Sequence, residues 1–204
     1  MGGYDSGYKN CDCFWGKKPG SLIGKLEDNI SSFYNKRVLD AGCGEGKNAC
    51  YIANKGAYVD AVDISLHAIK NGKIIWGKID RINWMIRDIC KFDFNYQYYN
   101  IVIAYGLLHC IDSMKNISIL INKLMVATAN NGYFIFCAFN DRHQDLSAHP
   151  GFKPTLIGHT DYLNFFKDWD ILFSSDEDLY ETHPHNNIPH SHSLTRILAK
   201  KTTV

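Results

Sequence analysis

The sequence predicts an α/β protein built on a parallel sheet with helices on both faces. Three observations carry this. Short apolar runs alternate with amphipathic stretches from residue 21 onward. Three of these runs end in an acid, at Asp40, Asp63 and Asp88. The first acid opens a turn with glycine at alternate positions, Gly42, Gly44 and Gly46. In a sheet of this kind the ligand crevice lies beyond the carboxyl ends of the strands, at the topological switch point.

The elements follow in order. The segment to about Cys13, rich in Gly, Tyr and Asp, reads as a mobile arm, and Phe14 to Gly20 as a turn carrying two aromatics. Leu22, Ile23, Leu26, Ile30 and Phe33 show helical spacing over Ser21 to Tyr34. Val38 to Asp40 is the first strand, and Lys47 to Lys55 the first helix of the alternating region, closed by Gly56. Tyr58 to Val62 is the second strand, followed by a helix with Ser65 as N-cap. Trp84 to Arg87 and the apolar Tyr99 to Tyr105 are the third and fourth strands. A helix over Ser113 to Ala129, a turn at Asn131-Gly132 and a fifth strand over Tyr133 to Phe139 complete the alternation. Asn140 to Thr160 reads as a long irregular loop, of the kind that is functional or disordered. A helix over Asp161 to Phe166 and strands over Asp170 to Phe173 and Leu194 to Lys200 follow, separated by a His-rich stretch from Glu181 to His192.

Composition narrows the class. A chain of 204 residues suits one domain with a sizeable core. A net charge of +1 gives no global basic field, which argues against a nucleic-acid partner. No apolar run has the length of a membrane span. An odd count of seven cysteines, several inside apolar runs, and the lack of a secretory leader point to a reducing cytoplasm.

Three nucleotide motifs compete for the glycine turn. The phosphate loop fails at both ends, with Ala41 in place of its first glycine and Asn48 in place of its hydroxyl residue. The dinucleotide fingerprint survives only in a relaxed form, Gly44, Gly46, Ala49. The complete match is D-x-G-x-G-x-G from Asp40, which resembles motif I of class I S-adenosylmethionine (SAM) dependent methyltransferases. An acid at the head of the turn suits a cationic ligand. Asp63, about 20 residues past the turn, is placed to accept ribose hydroxyls in either a SAM or a dinucleotide site.

Within that class, residues 39–48 and 56–63, with the Phe14 to Pro19 entry segment, are similar to the tellurite-resistance methyltransferase family. The resemblance implies one Rossmann-like domain over residues 21–204, with a mostly parallel seven-stranded sheet and an antiparallel C-terminal strand. Residues 1–20 would form an arm or lid over the cofactor site. It also implies methyl transfer from SAM, with S-adenosylhomocysteine as product, to a small acceptor such as a thiol or a chalcogen oxyanion. The alternatives are a natural-product hydroxyl, a macromolecule, or a SAM-binding module without turnover. Cofactor contacts are expected from Trp15, Asp40, Gly42, Cys43, Gly44, Gly46, Asn48, Asp63, Ile64, Asp88, Ile89 and Tyr105. Asp88 would meet the adenine amino group, the Ile89 N–H a ring nitrogen, and Tyr105 the methionine end. DNA and protein-glutamine methylases of the superfamily often carry an Asn/Asp-Pro-Pro-Tyr motif at the fourth strand end; Ala104 to His109 lacks it, which argues against planar amides and base amines.

The acceptor side is read from histidines. His183 and Arg196 rank first as catalytic candidates, with His109 as a possible base and His190, His192 and Phe152 as substrate contacts; His185 belongs to the same stretch. The competing readings are a solvated hairpin loop for the late histidines and a helix-start residue for His109. Cys11 and Cys13 with His190 and His192 offer zinc donors, but their spacing matches no common zinc module, so no metal is expected.

Overall fold

The computed structural model describes residues 4–183 and 186–203. His185 lies outside them, as do the first three residues of the expected arm. The elements are α1 (Asp5–Asn10), α2 (Ser21–Glu27), β1 (Arg37–Ala41), α3 (Lys47–Asn54), β2 (Tyr58–Asp63), α4 (Leu66–Trp76), β3 (Ile82–Ile86), β4 (Tyr99–Tyr105), α5 (Met114–Ala127), β5 (Thr128–Gln144), α6 (His159–Phe165), β6 (Asp170–Glu181) and β7 (His190–Lys200). Two short 3-10 turns, Ile89–Lys91 and Leu108–Cys110, follow β3 and β4.

The sheet has seven strands in the order β3-β2-β1-β4-β5-β7-β6. Strands β1 to β5 pair in parallel. Strand β7 runs antiparallel to both β5 and β6. The chain winds outward from β1 to β3 and then returns to β4 beside β1, so the switch point falls between β1 and β4.

Neighbouring residues of each central strand feed opposite faces, and this fixes the two-sided core. Leu39, Val102, Phe134, Phe136 and Ile197 pack with α5 and α6 through Leu120, Leu124, Tyr162 and Phe166. Val38, Ile101, Ile103, Ile135 and Leu198 pack with α2 and α3 on the other face. The strands are buried on both sides, hence the near-continuous apolar runs.

Three element boundaries depart from the sequence reading. Helix α2 stops at Glu27 instead of reaching Tyr34. Asn29 bonds back to the Lys25 carbonyl and closes the helix; Phe33 is still buried, but without helical backbone. Strand β5 runs on to Gln144, into the expected loop, because Gln144 pairs with His192 across a bulge. Strands β6 and β7 absorb both ends of the His-rich stretch, with Glu181 opposite His190. The N-terminal segment is also more ordered than expected. It forms α1 and buries Tyr8 and Phe14, against Ala68 of α4 and Trp15.

Gly46 N-caps α3 in the left-handed region, at φ +80°, and a Cβ there would lie 2.2 Å from the Trp84 ring. Gly46→Ala is therefore expected to destabilise the domain by about 1–3 kcal/mol through backbone strain, and by more if Trp84 must move. Urea unfolding measures it; a loss below about 0.5 kcal/mol would show that the turn relaxes freely.

Candidate functional site

The turn after β1 is held by carboxylates from two strand ends. Asp40 Oδ2 accepts the Ala49 N–H at 3.0 Å, and Asp63 Oδ2 accepts the Gly44 N–H at 2.8 Å. The other Asp63 oxygen accepts the Ser65 N–H at 2.8 Å. Gly42, Gly44 and Gly46 all have positive φ, at 68°, 54° and 80°. A Cβ on Gly44 would sit 2.7 Å from the Tyr8 hydroxyl, so only glycine lets the arm approach this closely.

A cavity of about 690 Å³ opens over this turn, at the carboxyl ends of β1, β2 and β4. That volume is in the range of small-molecule and cofactor sites, about 300–1,000 Å³. Of the expected cofactor residues, Trp15, Gly42, Cys43, Gly44, Asn48, Asp63, Ile64, Asp88, Ile89 and Tyr105 line it. Asp40 and Gly46 do not, although both were expected to touch a ligand. Asp40 is 1% exposed behind the turn, where it accepts an N–H from the first turn of α3, and Gly46 faces Trp84. Burial raises the Asp40 carboxyl to about 7, partly offset by the Ala49 hydrogen bond. Asp63 is also raised, mainly by burial, with its two backbone donors opposing.

The arm is latched over the cavity by polar contacts. Ser65 Oγ donates to Asp5 Oδ1 at 2.6 Å. Asn71 Nδ2 donates to the Tyr8 carbonyl at 2.7 Å and to Glu45 Oε1 at 3.2 Å. Glu45 also accepts the Trp15 N–H at 3.4 Å, and Trp15 Nε1 donates to the Tyr8 hydroxyl at 2.8 Å. Tyr4, Tyr8 and Trp15 thereby become part of the cavity wall.

His109 is buried and stacked on Phe139, with ring centroids 4.0 Å apart. The Phe139 N–H donates to His109 Nδ1 at 3.1 Å. A backbone N–H can only donate, so Nδ1 carries the lone pair and the neutral ring keeps its proton on Nε2. That proton faces the Tyr4 oxygen at 3.0 Å, leaving the Tyr4 O–H to point elsewhere. Burial, with His192 and His149 nearby, lowers the His109 pKa to about 3. The ring that was a candidate base is thus held as an Nε2–H donor that orients Tyr4.

Among the acceptor-side candidates, Arg196 and His109 line the cavity, while His183, His190, His192 and Phe152 do not. Arg196 donates to Glu177 at 2.8 Å, and its buried Nε has no hydrogen-bond partner. The three late histidines are not on a solvated hairpin: they are only 2%, 5% and 0% exposed. They gather with His149, behind the arm, where Phe14 stacks on His183 at 5.0 Å. Phe152 packs against Tyr4 and His109. Sequence reasoning missed Tyr4 as a partner of His109, and also Lys47, Glu181 and His149. Lys47 and Glu181 line the cavity. The Lys47 pKa is lowered by burial, with Glu181 opposing. The Lys47 and Tyr4 signals were present, since one follows the glycine turn and the other lies in the aromatic arm.

The model of the family described as tellurite resistance protein TehB matches residues 20–190. Comparison with curated protein sequences gives no significant match. Among solved structures, TehB from Haemophilus influenzae superposes with a TM-score of 0.73 at 17% identity, over 90% of this chain and 62% of that one. This chain thus spans less than two thirds of that protein. A SAM-dependent methyltransferase from Methanosarcina mazei gives 0.71 at 14% identity, over 92% and 100% of the two chains. Magnesium protoporphyrin IX methyltransferase from Synechocystis, solved with bound SAM, gives 0.64 at 16% identity, over 98% and 80%. These likenesses establish the class I methyltransferase fold.

The buried acid behind the turn gives the site a pH signature. Between the ordinary carboxylate range and about 7, folded Asp40 keeps a proton that the unfolded chain releases. Its contribution to stability therefore falls as pH rises through that window. Asp40→Asn retains an oxygen for the Ala49 N–H and cannot ionise. The wild type should lose stability relative to Asp40→Asn from about pH 4 to pH 7, by about 4 kcal/mol at most. Parallel urea titrations test this, and identical pH profiles would place the Asp40 pKa near its ordinary value.

Proposed function

Because the chain belongs to the tellurite resistance protein TehB family, we propose that it transfers a methyl group from SAM to a small-molecule acceptor. The single observation that carries this reading is the junction of Asp63 with the glycine turn, at the floor of a cavity of about 690 Å³. The residues fit the cofactor. Gly42, Gly44 and Gly106 line the wall without side chains of their own, so an amino-acid moiety can meet backbone there. Each Asp63 oxygen spends one lone pair on a backbone N–H and keeps another for a ribose hydroxyl. Asp88 lines the far end, its Oδ1 accepting from Cys90 N–H at 3.0 Å.

When bound, SAM supplies a methyl group on a sulfonium, an activated leaving group for in-line displacement. The chain then has three tasks: to position the acceptor, to exclude water and to neutralise charge. The arm excludes water through Tyr4, Tyr8 and Trp15. The acceptor end holds two cationic side chains, Lys47 and Arg196, the latter with an unpartnered buried Nε. His109, with Nδ1 committed to the Phe139 N–H, is poorly set to deprotonate a neutral alcohol. Two cationic groups beside a histidine whose lone pair is already taken favour an acceptor that is already anionic, a thiolate or a chalcogen oxyanion. The seven free cysteines suit a reducing cytoplasm. No helix among the described residues is long and apolar enough to cross a membrane.

Calorimetry with SAM, S-adenosylhomocysteine and NAD tests the cofactor; binding of NAD alone would overturn the reading. Asp63→Ala should weaken SAM binding at least about 10-fold, since two ribose hydroxyls lose a charged acceptor. A screen of thiols, selenite, tellurite, phenols and amines for S-adenosylhomocysteine release tests the acceptor. Turnover with thiols or oxyanions, reduced about 100-fold in Arg196→Ala with SAM affinity kept, is the expected result. Turnover only with hydroxyls, RNA or protein would replace the acceptor class, and none at all despite SAM binding would make the chain a binding module.

A further inference from the structure

Behind the arm, four buried imidazoles and one carboxylate converge from parts of the chain far apart in sequence. His149 precedes Pro150 in the loop after β5, Glu181 ends β6, His183 follows it, and His190 and His192 open β7. The ligand atoms of His149, His190 and His192 lie within 4.8 Å of one another, as do those of Glu181, His183 and His190. His190 belongs to both groups. His149 is 8% exposed, and the other three histidines less.

The hydrogen bonds fix which nitrogens face inward. His190 Nδ1 lies 2.8 Å from the Ile188 carbonyl, which can only accept, so Nδ1 carries the proton. His192 Nδ1 lies 3.0 Å from Gln144 Oε1. The orientation of that amide is settled by its nitrogen, which donates to the Asn140 and Ser193 carbonyls at 2.8 and 2.9 Å. His192 Nδ1 therefore also carries the proton. In both neutral rings the Nε2 lone pair points into the cluster, and both Nε2 atoms are buried without a hydrogen-bond partner. Orphaned nitrogens of this kind are rare in folded proteins. An outer Nδ1–H bonded to a carbonyl, with Nε2 turned inward, is the usual arrangement of a metal-binding histidine. His183 Nε2 lies 3.2 Å from His149 Nε2, and Glu181 Oε1 lies 3.8 Å from His190 Nε2 and 3.9 Å from His183 Nε2.

We propose that this cluster is a site for a divalent transition-metal ion of the zinc type, held by His149, His190 and His192 with Glu181 or His183 completing the shell. Imidazole nitrogens with one carboxylate suit zinc, and exclude the all-oxygen preference of magnesium and calcium. Four-coordinate zinc sets its donors about 3.3 Å apart, so the atoms of His149, His190 and His192, within 4.8 Å of one another, need draw together by about 1.5 Å at most. Binding through His149 Nε2 would need that ring's proton on Nδ1, the tautomer His190 and His192 already hold. The ion would tie the β6–β7 end to the loop after β5, and Phe14 stacked on His183 would carry that constraint to the arm. Neither group includes Cys11 or Cys13, so the site differs from the thiolate set that the sequence offered.

The test uses the whole chain, stripped with chelator and titrated with Zn²⁺ and Co²⁺. One ion per chain is expected, and a Co²⁺ spectrum with visible bands but no thiolate charge-transfer band in the near ultraviolet. His190→Phe and His192→Phe keep aromatic volume and remove a donor; each should weaken binding about 100-fold. Gln144→Leu leaves every ligand in place; it frees the His192 tautomer and also removes the donor to the Asn140 and Ser193 carbonyls. A loss of about 10- to 100-fold there marks an outer-shell partner, and it remains readable if a histidine variant misfolds. His143→Ala, an exposed histidine on the same strand as Gln144, should bind as the wild type does. No binding at micromolar free metal, a thiolate band, or wild-type affinity in both phenylalanine variants would each overturn the proposal. None of these readouts uses methyl transfer, so the site stands or falls separately from that activity.

Discussion

The Gly44 N–H bonded to Asp63 is the contact on which the rest of the site depends. It joins the turn after β1 to the end of β2, and the parallel register Asp40↔Ala61 and Ala41↔Val62 sets the distance it must span. A turn with three left-handed residues has little stability of its own. Two strand-end carboxylates hold it, Asp63 at Gly44 and Asp40 at Ala49. Glu45, between those anchors, then becomes the attachment point for everything above. Its carboxylate takes the Trp15 N–H and the Asn71 amide, and its carbonyl takes the Trp76 indole. The arm is fastened to the turn, and the turn to the strand ends that the sheet register sets side by side.

This dependence explains which parts of the fold were legible in the sequence. Strands β1, β2 and β4 are buried on both faces, so they read as apolar runs, and their acids or Tyr105 mark where the runs meet the crevice. The left-handed turn demands glycine, and the alternate spacing announces it. Strand β6 gives no such signal. It is an edge strand with exposed serines and aspartates, paired on one side only, and its sequence from Ser174 to Asp178 resembles a loop. Helix α2 shows the opposite error. Its apolar spacing continues to Phe33, but Asn29 turns its amide onto the Lys25 carbonyl and the backbone leaves the helix first.

The cavity lining around the glycine turn was legible because most of its residues lie within a few positions of four strand ends, those of β1 to β4. The rest of the lining and the histidine cluster were not, because their parts come from the arm, from the turn after β4, from the loop after β5, and from the far ends of β6 and β7. No spacing rule links Tyr4 to His109, 105 residues away. Nor does sequence reveal a tautomer: the Phe139 N–H decides that His109 Nδ1 is an acceptor, and this decides against its use as a base. The late histidines were noticed for their number, yet their burial depends on the bulge that brings Gln144 opposite His192. His149 stood alone in an irregular segment, and only the folded loop brings it to the others.

Glu181 connects the two halves of this arrangement. It lines the cavity, where it offsets the burial that lowers the Lys47 pKa, and it also lies beside His183 and His190. One carboxylate cannot fully serve both. An ion that took Glu181 as a ligand would weaken the largest of the charges that offset the burial of Lys47. Arg196 is less affected, since its own carboxylate partner is Glu177 on the outer strand. In a low-dielectric cavity, removal of one counter-charge strengthens the field on a bound anion more than any change at the surface would. The histidine cluster and the cavity wall are thus joined through one shared carboxylate.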